Sequence, residues 1–116
     1  MKVTYSYYVP LDGAGTLLNP AYKWRVDERT ETCRDIVKAG NLYYMCDWSG
    51  YIIHSVEVEK ITIIEVADMK ISCKYHPNEP KPFTAEFYRA NGEHYSNIGS
   101  VDFEGILLSI KHFLSL

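Results

Sequence analysis

The chain has 116 residues, 47% hydrophobic and 23% charged, a mixture that excludes a disordered polymer and suits one compact domain over 1–116. Twelve Lys and Arg oppose fifteen Asp and Glu, giving a formal charge of −3 with no local run of either sign. The absence of a Lys/Arg cluster argues against a phosphate-tracking nucleic-acid surface, and no apolar run approaches membrane-spanning length.

Val3, Tyr5, Tyr7 and Val9 alternate with Thr4, Ser6 and Tyr8, which predicts a half-buried strand over 2–9, ended by Pro10. A strand at this position also argues against a secretory leader. Residues 11–22, rich in Gly, Asn and Pro, read as a long loop, with a short extended piece at Trp24 and Val26. The run from Thr30 to Gly40 predicts a short helix near 30–39. Thr30 would cap it, Glu31 would sit in its first turn and Gly40 would end it, with Cys33, Ile36 and Val37 on one face.

Leu42 to Trp48 reads as a strand turned by Ser49-Gly50, and the Ile- and Val-rich residues 51–67 as two extended stretches bent near Lys60. Residues 70–75 alternate again, and three prolines between His76 and Pro82 demand a loop. Phe83–Arg89 and Glu93–Ile98 flank Asn91-Gly92, which predicts a hairpin with a type I′ turn. That register pairs Phe87 with Ser96 and Tyr88 with Tyr95. It puts Phe83, Ala85, Phe87 and Ile98 on the core face and the two tyrosines on the other. Residues 102–115 predict an amphipathic helix capped by Asp102, with Phe103, Ile106, Leu107, Ile110, Phe113 and Leu114 in one stripe. The fold class is α+β. It comprises a mostly antiparallel sheet of about five to six strands, a short helix near 30–39, and a C-terminal helix near 102–115 packed on one face.

Motifs for chemistry are weak. Asp12-Gly13-Ala14-Gly15 follows a strand, but Leu18 stands where a dinucleotide loop needs its third glycine, and no Lys-Ser/Thr pair follows. Cys73 and His76 have a metal-ligand spacing, yet three residues along a regular strand lie on opposite faces, so no metal or cofactor is expected. Cys33, Cys46 and Cys73 are odd in number and widely spaced, the pattern of reduced thiols in a cytoplasmic protein. Asp47 occupies the glycine position of a nucleophile elbow around Ser49 and disfavours a thiolate at Cys46. Pro77 and Pro80 form a P-x-x-P core that reads as a loop. His94 and His112 suit a hairpin surface and a helix end, which leaves His54 and His76, near strand ends, as the acid–base candidates.

Ten tyrosines and two tryptophans are too many for the interior of a domain this size, and such residues suit interfaces. The expected partner-binding residues are Tyr8, Tyr43, Asp47, Glu86, Tyr88, Glu93 and Tyr95, with the acidic members steering toward a basic protein surface. The expected function is a non-catalytic protein-binding module. Its class would be a small acidic inhibitor or immunity-type protein, phage-encoded anti-defence or toxin-immunity, that blocks a partner enzyme's surface. The alternative is a small enzyme or ligand-binding domain with a pocket between sheet and C-terminal helix, using His54, His76 and Tyr95. Homodimerisation through a tyrosine-bearing face or an open edge strand is compatible with either.

Overall fold

The computed structural model describes residues 1–10 and 24–115. The expected loop at 11–22, with its glycine-rich stretch, lies outside the described residues. Among the described residues, nine strands and one helix follow in chain order: β1 (Lys2–Pro10), β2 (Trp24–Thr32), β3 (Asp35–Ala39), β4 (Leu42–Cys46), β5 (Ile52–Val56), β6 (Ile61–Val66), β7 (Met69–Tyr75), β8 (Phe83–Tyr88), β9 (His94–Ser100) and α1 (Phe103–Leu114). The strands form two antiparallel sheets. The large one has the order β2-β1-β6-β7-β8-β9 and the small one β3-β4-β5. A 3-10 turn at Val58–Lys60 carries the chain from one sheet to the other, where the sequence suggested only a bend.

The inner face of the large sheet follows from alternation. Val3, Ile64, Ile71 and Phe87 stand side by side across β1, β6, β7 and β8, all fully buried. Cys73 and Ala85 form the next buried row. Two elements cover this face. The small sheet contributes Ile36, Met45 and Val56, and α1 contributes Phe103, Ile106, Leu107 and Ile110. Phe103 meets Tyr43 edge-on at 5.7 Å and Phe83 at 5.9 Å, and Phe113 lies 4.7 Å from Phe87. Burying these side chains is the main stabilising term, at roughly 1.5–3 kcal/mol each. The C-terminal helix matches expectation down to its cap, where Asp102 accepts a hydrogen bond from the Gly105 N–H at 3.0 Å. Leu114 departs from the stripe and is 45% exposed.

The predicted helix near 30–39 is absent. Thr30 and Glu31 belong to β2, opposite Thr4 and Val3, and Asp35–Ala39 is β3, paired to β4. Cys33 and Ile36 are buried as helical spacing demanded, but Val37 faces outward. Gly40 explains the misreading. It has φ +64° as the first residue of the two-residue β3–β4 turn, whose second residue, Asn41, does not share the positive φ, a type II′ pattern. A helix terminus and this turn both call for a glycine that tolerates positive φ, so the residue alone does not separate them. Between β2 and β3 the chain changes sheets within one step. Cys33 N–H donates to the Met1 carbonyl at 2.9 Å, and Arg34 N–H donates to the Cys46 carbonyl at 2.8 Å.

The β8–β9 hairpin exists, but its turn differs from the prediction. Gly92 alone has positive φ, +85°, and Arg89 closes on Gly92 and Glu93, the three-residue loop built on a type I turn. The extra residue is absorbed by a bulge. Tyr88 pairs with His94, Phe87 still pairs with Ser96, and Tyr95 is displaced to the core side.

β1 pairs with β6 only from Lys2 to Tyr5. From Ser6 to Pro10 its described partner is β2 alone, so the two strands leave the sheet as a ribbon. The molecule is correspondingly long, 56 × 35 × 31 Å, with a radius of gyration of 16.2 Å. A compact chain of this length would have about 13 Å.

Candidate interaction surface

The small sheet has two unlike faces. Its inner row runs Ile36–Met45–His54 across the three strands, and its outer rows run Val37–Tyr44–Ser55 and Asp35–Cys46–Ile52. An antiparallel sheet with one solvated face ordinarily places polar residues outward. Here Val37 is 40% exposed, Ile52 60% and Leu42 55%, with Tyr44 half-buried among them.

The same sheet ends in the β4–β5 turn, where Trp48 and Tyr51 are 63% and 74% exposed. Asp47 fixes this turn. Its Oδ1 accepts from the Ser49 and Tyr51 N–H groups at 2.9 and 3.0 Å, and its own N–H donates to the Tyr51 carbonyl at 2.9 Å. Gly50, at φ +84°, supplies the left-handed residue that closes the loop. The result is a hydrogen-bonded platform that displays two aromatic rings beside an apolar sheet face. Rigid aromatics of this kind bring large contact area at low entropic cost.

The expected binding residues do not gather into one patch. Asp47 is part of the platform as its organiser. Tyr8 is exposed on the β1–β2 ribbon, with the Lys60 ammonium 4.6 Å above its ring. Glu86 and Tyr88 lie on the outer face of the large sheet, where the Tyr88 hydroxyl donates to Glu86 at 2.7 Å and its ring meets His94. Glu93 is exposed in the hairpin loop. Tyr43 and Tyr95 point inward, Tyr43 against Phe103 and Tyr95 against Phe87 and Phe113. Burial raises the Tyr43 phenol above its ordinary pKa. Tyr88 and Tyr95 are therefore on opposite faces, contrary to the register predicted from Asn91-Gly92. The sequence does not single out Trp48, Tyr51 and Ile52, because exposure on a strand end depends on which face the other sheet covers.

The two histidines do not share a site. His76 is exposed in the β7–β8 loop, its N–H donating to the Pro82 carbonyl. His54 sits where the sheets meet, with Nε2 hydrogen-bonded to Glu31 and 3.4 Å from the Tyr5 hydroxyl. Its Nδ1 lies 2.7 Å from the Ser55 carbonyl, which can only accept, so that nitrogen carries a proton. Arg29 holds the other Glu31 oxygen at 2.9 Å, and burial, followed by the Glu31 charge, raises the Tyr5 pKa. The group fastens β5 to the β1–β2 pair. The groove where sheet and helix end meet is lined by Met69, Arg89, Tyr95 and Phe113, and neither histidine reaches it.

Cys73 is buried on the inner face while His76 stands in the loop, so the Cys-x-x-His spacing brings no shared site. No helix of the described residues is long and apolar enough to cross a membrane. No protein-family model matches the chain, and neither the curated proteins nor the solved structures include a match.

Proposed function

We propose that this chain is a protein-binding module of the inhibitor or immunity type, and that the outer face of the small sheet with its Trp48–Tyr51 turn is what it presents to another protein. The observation that supports this reading is the exposure of Val37, Leu42 and Ile52 on one face of a sheet that also carries two exposed aromatics on a turn held by Asp47. Clustered exposed apolar side chains mark contact sites. Glu57 and Glu59, exposed just beyond β5, favour approach to a basic partner surface. A cytoplasmic location accompanies the reading, on the strength of the odd, widely spaced thiols.

The test is capture from lysate of the native source with three baits: the wild type, a Trp48→Ala/Ile52→Ser variant, and Tyr88→Ala on the far sheet. The expected result is one protein in near-stoichiometric yield with wild type and Tyr88→Ala and its loss with the double variant. The same proteins on all three baits, or none on any, would overturn the reading.

A further inference from the structure

We infer that the edge of β2 left without a strand partner among the described residues is a self-association surface, pairing antiparallel with β2 of a second copy in a register centred on Glu28. Three observations carry this. β2 is an edge strand of the large sheet among the described residues, and most of its side chains are exposed. An edge strand offers unpaired backbone N–H and C=O groups to another strand. Beyond Tyr5 the β1–β2 ribbon has two strands among the described residues, and a two-stranded ribbon is marginal in water unless a further strand joins it.

The third observation is the order of charge. Arg25, Asp27, Arg29 and Glu31 share one face of β2, opposite Val9, Tyr7, Tyr5 and Val3 of β1, and their signs alternate. They lie within reach of one another along the strand, with Arg25–Asp27 at 3.3 Å and Arg29–Glu31 at 2.9 Å. About a two-fold axis at Glu28, Asp27 meets Arg29 of the second copy in two symmetry-related pairs of opposite sign, and Arg25 comes opposite Glu31, whose oxygens are already held by Arg29 and His54 of its own chain. Sliding by two residues in either direction sets Asp27 against Asp27 or Arg29 against Arg29. The antiparallel complement of this charge order is the same order, which only a second copy supplies as a matter of course. On the other face the register pairs Val26 with Thr30 and places Glu28 against itself, a repulsion that weakens the dimer without moving its register. This surface is separate from the small sheet's outer face, so loss of self-association leaves Trp48-dependent capture intact.

Sedimentation equilibrium tests the inference with the wild type, Asp27→Arg, Arg29→Glu and Glu28→Gln. Either charge reversal turns two attractive cross-strand pairs into repulsive ones and is expected to weaken the dimer about thirty-fold. An equimolar mixture of the two reversed chains restores opposite charge at both pairs and is expected to associate as tightly as the wild type. Glu28→Gln is expected to tighten the dimer several-fold. Glu28→Cys, which places two thiols at the axis, is expected to give an intermolecular disulfide on oxidation, and Val26→Cys is not; this comparison decides should a charge variant fail to fold. A wild type monomeric at every concentration, a dimer indifferent to both reversals, a mixture that stays apart, or no disulfide at position 28 would overturn the inference.

Discussion

Gly105 stands in the first turn of α1 against Ser100 at the end of β9, and replacing it with alanine is expected to destabilise the fold by about 1–2 kcal/mol. A Cβ at this position would lie 1.9 Å from Ser100 Oγ and 2.8 Å from Ser100 Cβ. The hydroxyl can rotate away, giving up its hydrogen bond from the Asp102 N–H at 3.4 Å. Ser100 Cβ cannot rotate away, because its backbone is paired to Phe83 in the sheet. Relief therefore requires the first turn of α1 to shift, which disturbs the Asp102 cap and the seat of Phe103. Overpacking of this kind costs about 1–3 kcal/mol, and the helical preference of Ala over Gly returns up to about 1 kcal/mol. Urea and thermal unfolding of the wild type, Gly105→Ala, Ser100→Gly and the double variant measure it, with an expected fall in Tm of about 4 °C per kcal/mol. Removing the Ser100 side chain should recover the loss, so the cycle should show a coupling of about 1–2 kcal/mol. A Gly105→Ala protein as stable as the wild type, or a coupling of zero, would refute the steric argument.

Burial pushes the Cys73 thiol up to about 12, against an ordinary value of 9.0. Below pH 9 both folded and unfolded chains keep this proton and the native state holds its full advantage. Above pH 9 only the unfolded chain loses it, so stability should fall by about 1.4 kcal/mol per pH unit until the folded thiol also titrates. Cys33, raised by burial as well, adds in the same direction, and Cys73→Ala should flatten the alkaline slope of urea denaturation by about one proton. Trp48→Ala should change stability by less than about 0.5 kcal/mol, whereas Tyr95→Ala, which removes a ring packed on Phe87 and Phe113, should cost about 2 kcal/mol. Equal effects in denaturant titrations would contradict their outward and inward placement. Ala67 holds φ +51° in the β6–β7 turn, so Ala67→Gly should stabilise by about 0.5 kcal/mol once the greater freedom of the unfolded chain is subtracted, as differential scanning calorimetry would show.

Local order was legible wherever a short stretch of chain decided it. Asp102, Glu104 and the stripe from Phe103 to Ile110 define α1 because cap, dipole and apolar period agree within twelve residues. The alternation of β1 and the proline loop before β8 were equally plain. Contradictory local signals appear at residues 30–39, where a cap, a glycine and helical spacing described a helix that β-branched residues and pairing with β1 and β4 override. In the β8–β9 hairpin the Asn-Gly pair marks the turn, but one added residue in the loop moves Tyr95 to the core.

The candidate surface was less legible than the fold. The chain itself determined a mostly antiparallel α+β fold with an amphipathic C-terminal helix, and ten tyrosines to place. Tertiary structure alone decided that the strands would divide into two sheets between Cys33 and Arg34, that one sheet would cover the other, and that the Val37–Tyr44–Ile52 face would be the one left uncovered. It also brought Glu31 to His54 and Tyr5 across a sheet junction. Alternation along a strand says that two faces differ, and only the packing of distant strands against one of them says which is buried.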